Sequence, residues 1–188
     1  DYSRLFRSEG KRPLTADEGE MLRSYNTPAA DNDLNYYIDQ YDGSIRYVDT
    51  EIEQFLSALS RAEVLKDSIV IFLSDHGEAF FEHGFCTHGR SLYEEGIKVP
   101  LIVSLPPGFS WPLDPESELN LTDLTAALFE SLRLPVPYPL DGDIRRPGSE
   151  KAIYSEEHSD SRLVGAPKVA RIADGFKAIY RPHQAEVT

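Results

Sequence analysis

One cysteine, one methionine and one tryptophan in 188 residues leave little sulfur or indole chemistry to work with. The lone Cys86 has no second thiol in the chain, so an internal disulfide is excluded and the redox character of the compartment stays open. Basic residues are also scarce: 19 Lys and Arg stand against 32 Asp and Glu, a net charge of −13. A general nucleic-acid binder needs basic patches to meet phosphate, so that class is set aside. No apolar run approaches the ~20 residues that span a bilayer, so no membrane span is expected in this chain. The opening DYSRLFRSEGKRP has none of the apolar stretch of a secretory signal. What is present, 40% hydrophobic, 11% aromatic and 27% charged, is the composition of a globular chain long enough to bury a core.

Periodicity then divides the chain. Thr15-Ala-Asp-Glu18 fits a capping box and predicts a short helix through Met21 and Leu22, followed by a loop over Asn26 to Asp33. Ile38, Tyr41, Ile45, Val48, Ile52, Phe55 and Leu59 recur in steps of three and four, which predicts an amphipathic helix from Asn35 to about Leu65, modestly weakened by Gly43. The unbroken apolar run within Ser68–Ser74 reads as a parallel strand covered on both faces, and Val99–Ser104 as a second buried strand. After a turn-rich connection over Pro106 to Glu118, a helix is expected beyond Thr122, carrying Leu124, Leu128 and Leu132 on one face. It should stop before Pro135, Pro137 and Pro139. Ala152 to Ser155 is strand-like, and two further β-rich stretches flank Asp174-Gly175, a type I′ hairpin signal. The helix–strand succession predicts a layered α/β fold, with a mostly parallel sheet flanked by helices over residues 1–145. A small antiparallel β appendage should occupy 146–188.

Of five histidines, His76, His83 and His88 fall close together. Asp75-His76-Gly77 follows the predicted buried strand directly, and ligands in open α/β sheets gather outside the carboxyl ends of strands. A carboxylate beside an imidazole can turn both donors toward one cation if the loop bends, a freedom that Gly77 supplies. Oxygen and nitrogen donors together suit zinc or manganese, whereas a calcium site leans on the carboxylate oxygens. On its own, Asp-His-Gly reads first as a strand-end turn whose polar groups satisfy the backbone. The longer series is more specific. Ser74-Asp-His-Gly-Glu78, Glu82-His83-Gly84, His88-Gly89, Ser91-Leu-Tyr93-Glu94-Glu95 and Lys98-Val-Pro100-Leu-Ile-Val resemble, in order and spacing, the sulfatase family of the alkaline-phosphatase superfamily. The likeness runs more loosely from Tyr41-Asp42 through the helix around Asp123 to Leu140-Asp141-Gly142.

The resemblance implies the C-terminal portion of an alkaline-phosphatase-like catalytic domain, present in part. It implies Asp75 and His76 as ligands of one divalent metal ion, Ca2+ in the first place with Zn2+ and Mn2+ as alternatives. In an acidic chain such an ion is also the simplest source of positive charge for an anionic ester. His88 stands twelve residues after His76, where sulfatases commonly carry a lysine, and is the expected catalytic and substrate-binding group. Related phosphoethanolamine and lipoteichoic-acid-type transferases favour histidine near this point, so sulfate and phosphate esters both stay open as substrates. His83 either braces the loop or touches substrate. Tyr93 and Glu94 are expected to pack and fix the loop, and Lys98 to pair with Glu94 or Glu95. Cys86-Thr-His-Gly-Arg90 has the Cys and Arg spacing of the family's formylglycine signature. It lacks the central proline and the downstream threonine-glycine, and it follows the metal motif instead of preceding it, so Cys86 is expected to be an ordinary packed thiol.

No paired aspartates at the end of an early strand precede Asp75, and no nucleophile motif does so either. The formylglycine, serine or threonine nucleophile is therefore expected outside this chain, in an N-terminal half that completes the site. The implied activity is hydrolysis of sulfate esters by nucleophilic displacement. A phosphoethanolamine- or phosphoglycerol-type transferase, a phosphoester hydrolase and a non-catalytic binding relic of the fold are the alternatives. By resemblance the enzyme acts in the periplasm, outside the cell or on the outer face of a membrane.

Overall fold

In a computed structural model the described residues are 31–84, 86–89, 91–136, 138–142, 152–157, 168–181 and 184–187. The expected helix around Met21 and the expected domain boundary near residue 145 lie outside them. The chain divides into two compact units, Asp1–Ile102 and Val103–Thr188.

The first unit opens on α1, Asp31–Arg61. It starts earlier than the periodicity predicts, taking in Asp31 to Asp33, which the sequence assigns to a loop. It also ends earlier, at a reversal in which Glu63 adopts φ 60°. There Val64 N donates to Leu59 O at 3.0 Å and Glu63 N to Ser60 O at 2.9 Å, a Schellman closure that occupies the last free carbonyls. A 3-10 turn over Leu65–Asp67 leads into β1, Val70–Leu73. Tyr37 and Tyr41 of α1 rest their rings on Phe80, with centroids 5.7 and 5.1 Å away. Beyond that contact the predicted apolar face is open, with Ile45, Val48 and Phe55 all exposed. The stripe is a true helical face, but it is covered only in part, Ile52 and Leu59 being half-buried.

β1 departs from expectation in the same way. Val70 and Ile71 are half-buried, while Phe72 and Leu73 are each 40% exposed, so the strand is not covered on both faces. Among the described residues it pairs only with β4, Leu101–Ser104, in a two-stranded sheet. Between them lie the hairpin β2, Ala79–Phe80, and β3, Cys86–Thr87, and a single helical turn α2, Glu94–Ile97.

The second unit carries α3, Leu121–Ser131, started by a complete capping box. Asn120 Oδ1 accepts from Thr122 N at 3.3 Å, and Asp123 Oδ2 accepts from Asn120 N at 3.0 Å. Of the leucines predicted to share a face, Leu124 is buried, together with Ala127, while Leu128 is half-buried and Leu132 is exposed. Arg133 at φ 53° closes the helix just before Pro135. Asn120 Nδ2 also donates to the Tyr154 carbonyl at 3.1 Å, fastening the start of α3 to the sheet. That sheet has four antiparallel strands in the order β5 (Ile153–Glu157), β6 (Lys168–Ala173), β7 (Phe176–Arg181) and β8 (Gln184–Val187). Ala170 and Ile179, opposite each other in the register, form its buried centre. Asp174 and Gly175 both take positive φ, 54° and 75°, as the type I′ turn requires. No helix among the described residues is long and apolar enough to cross a membrane.

Candidate active site

The chain leaves β1 at Leu73 and turns at once. Ser74 Oγ donates to the His76 carbonyl at 2.7 Å, and His76 N donates to Asp75 Oδ1 at 3.0 Å. His76 Nδ1 lies 2.8 Å from the Gly77 carbonyl, and a carbonyl only accepts, so Nδ1 carries the proton and Nε2 is left with its lone pair. That Nε2 is 3.7 Å from Asp75 Oδ1. The separation is too long for a hydrogen bond, but two donor atoms sharing one cation at ~2.0–2.6 Å stand roughly 3–4 Å apart. Gly77 is required for space and not for an unusual φ: its N donates to Gly96 O at 3.0 Å, and a Cβ there would run into the Glu95 carbonyl.

The hairpin brings His88 back to this point. Ala79 pairs with Thr87 and Phe80 with Cys86, which sets Glu78 opposite His88 as the next position of the register. Glu78 Oε2 accepts from His88 Nδ1 at 3.1 Å. The His88 ring stacks on His76 with centroids 3.9 Å apart and planes 26° apart. The three residues predicted to share a site from their spacing, Asp75, His76 and His88, are therefore neighbours in space.

His83 is held elsewhere on the same loop. Its Nδ1 is 2.7 Å from Glu95 Oε1, and its ring lies flat on Tyr93, centroids 3.8 Å apart and planes 4° apart. This is the geometry of a brace, and Tyr93 has the loop-fixing place expected of it. Of the two carboxylates expected to meet Lys98, Glu95 is engaged by His83, and the Lys98 backbone closes α2 onto the Glu94 carbonyl at 2.8 Å. Cys86 is buried, and burial pushes its thiol pKa up. The Thr87 backbone works against that rise, and the Glu78 and Glu82 carboxylates add to it. A thiol so disposed is a packed group. Sequence reading did not single out Glu78, because its signal is hairpin register, which strands of two residues are too short to display; the His83–Glu95 partnership joins the hairpin loop to α2, a tertiary contact with no periodic signal.

As a cation site the pair is half a set. Asp75 Oδ1 and His76 Nε2 stand at a separation that two ligands of one divalent ion would take, with the imidazole proton on Nδ1. Among the described residues, however, no group of three or more His, Cys, Asp or Glu could hold one.

The chain resembles known proteins in sequence and in fold. Human arylsulfatase K is 30% identical over 115 residues, covering 61% of this chain and 21% of that protein. The chain spans about a fifth of the length of the curated relatives it matches first. Among solved structures, a putative sulfatase from Bacteroides thetaiotaomicron has a TM-score of 0.70 at 24% identity, covering 86% of this chain and 37% of that one. A phosphonate monoester hydrolase from Silicibacter pomeroyi also reaches 0.70, at 16% identity, over 100% of this chain and 44% of that one. These likenesses show the alkaline-phosphatase-like α/β fold, present here in part. The sulfatase family model matches residues 10–131, more than half of the chain and all of the loop that carries Asp75, His76 and His88, and the chain belongs to the sulfatase family.

Proposed function

We propose that this chain supplies the C-terminal half of the active site of a metal-dependent sulfuric ester hydrolase. The observation that carries the reading is the convergence of Asp75 Oδ1 and His76 Nε2 at 3.7 Å with the His88 imidazole stacked alongside. Asp75 and His76 would hold a divalent cation, with calcium, zinc and manganese as the ions to compare. Bound there, the ion would supply positive charge to the ester oxygens and to the attacking group. His88 meets the leaving oxygen and gives it a hydrogen bond or a proton as the sulfur–oxygen bond breaks. His83, clamped by Glu95 and Tyr93, keeps the loop in shape. The nucleophile and the remaining ligands come from a part of the enzyme outside this chain. That assignment is supported by the lack of a nucleophile motif before Asp75 and by the share of the relatives that the chain spans.

A second reading, cleavage of phosphonate or phosphate esters, is favoured by the histidine at position 88, where sulfatases commonly carry lysine, and by the phosphonate monoester hydrolase likeness. Paired aryl sulfate and aryl phosphonate substrates decide between them by the ratio of kcat/KM. For the shared mechanism, His88→Ala in the assembled enzyme should lower kcat by about 10²–10⁴-fold, the usual worth of a positioned acid, while metal content stays at the wild-type level. Unchanged turnover would remove His88 from the reaction.

A further inference from the structure

We propose that Glu78 is a positioning residue for His88: its carboxylate accepts a hydrogen bond from Nδ1–H, fixes the ring over His76, and leaves Nε2 as the nitrogen that faces the reacting ester. The inference rests on the reading of His88 given above only for what Nε2 is used for; the positioning itself stands on geometry.

Three observations carry it. The first is the bond, Glu78 Oε2 to His88 Nδ1 at 3.1 Å, between positions that face each other across the β2–β3 register. The hairpin therefore delivers the carboxylate to the imidazole by construction. The second is the cost of the arrangement. The Glu78 side chain is only 13% exposed, and its other oxygen, Oε1, is buried with no hydrogen-bond partner among the described residues. A carboxylate kept in that state does not serve local stability, because an unpaired buried acceptor opposes folding. The third is Thr87, the last residue of β3 and the one before His88, at φ 74°. A β-branched residue in the left-handed region is strained, and such strain persists where the surroundings hold a neighbour in a required orientation.

The chemistry follows from the donor inventory. A carboxylate only accepts, so in the neutral ring the proton sits on Nδ1; in the charged ring Nε2 carries the second proton, the one free to be given away. Without Glu78 the neutral ring reverts to the form favoured in water, with the proton on Nε2, and the ring is free to turn about its Cβ.

The test is the tautomer of His88, read from long-range 1H–15N NMR correlations of the 188-residue chain at mildly alkaline pH, together with its melting temperature. In the wild type the proton should be on Nδ1. Glu78→Gln keeps an acceptor oxygen and should preserve that state. Glu78→Met keeps the volume without an acceptor and should shift His88 to the Nε2–H form, with a melting temperature equal to or above that of the wild type. Finding Nε2–H in the wild type, or Nδ1–H retained in Glu78→Met, would overturn the proposal. A large fall in melting temperature in the Met variant with no change of tautomer would also overturn it, by making Glu78 a stability residue. No substrate enters this measurement, so it stands or fails apart from the identity of the ester. If the tautomer shifts and yet kcat of the assembled enzyme is unaffected, the positioning is upheld and it is the leaving-group role of His88 that fails.

Discussion

Single side chains decide which groups here can react. His76 and His83 both commit Nδ1, one to the Gly77 carbonyl and the other to Glu95, but only His76 also has a carboxylate oxygen 3.7 Å from its second nitrogen. Asp75 and His76 were singled out by the longer motif series and not by adjacency alone, which serves a strand-end turn equally well. Glu78 was not readable, because its partner is ten positions away across a hairpin whose strands are too short to show alternation. Cys86 offers a clean test at this scale. Burial raises its thiol pKa, so the thiolate fraction at neutral pH is smaller than for a free cysteine, and only the thiolate is alkylated. Iodoacetamide at pH 7.5 should modify the native chain at least roughly tenfold more slowly than the urea-unfolded chain. Equal rates would mean that Cys86 is neither buried nor raised.

Elements were legible in proportion to their periodicity. Steps of three and four located α1 to within about a turn at each end, and the Asp174-Gly175 pair located the β6–β7 hairpin at the residue. What periodicity does not carry is the partner. The face through Ile45, Val48 and Phe55 reads as core and is open in this chain, and the strand through Phe72 and Leu73 reads as doubly covered and is not. Two substitutions test the local architecture. Asn120→Ala removes the side-chain half of the α3 capping box and the bond to the Tyr154 carbonyl, and should cost about 1–2 kcal/mol in urea unfolding. Gly77→Ala drives a methyl group into the Glu95 carbonyl and should cost about 1–3 kcal/mol, since the obstacle is backbone and cannot swing aside. A neutral Gly77→Ala would mean that the turn after β1 can move away from the Glu95 carbonyl at no cost.

For the whole molecule the two open apolar surfaces and the incomplete donor set point the same way. A chain that leaves Phe55 62% exposed and Phe72 and Leu73 40% exposed should bind a hydrophobic dye while folded, and by itself it should show no turnover of an aryl sulfate. Appreciable turnover by the isolated chain would contradict the division of the active site. The most direct test of the central claim is paramagnetic broadening of the five histidine ring signals by Mn2+, which reports even a weak site. His76 and His88 should broaden first and together, and Asp75→Asn should abolish that preference while leaving the fold intact. Uniform broadening, or broadening that begins at any other histidine, would contradict the account.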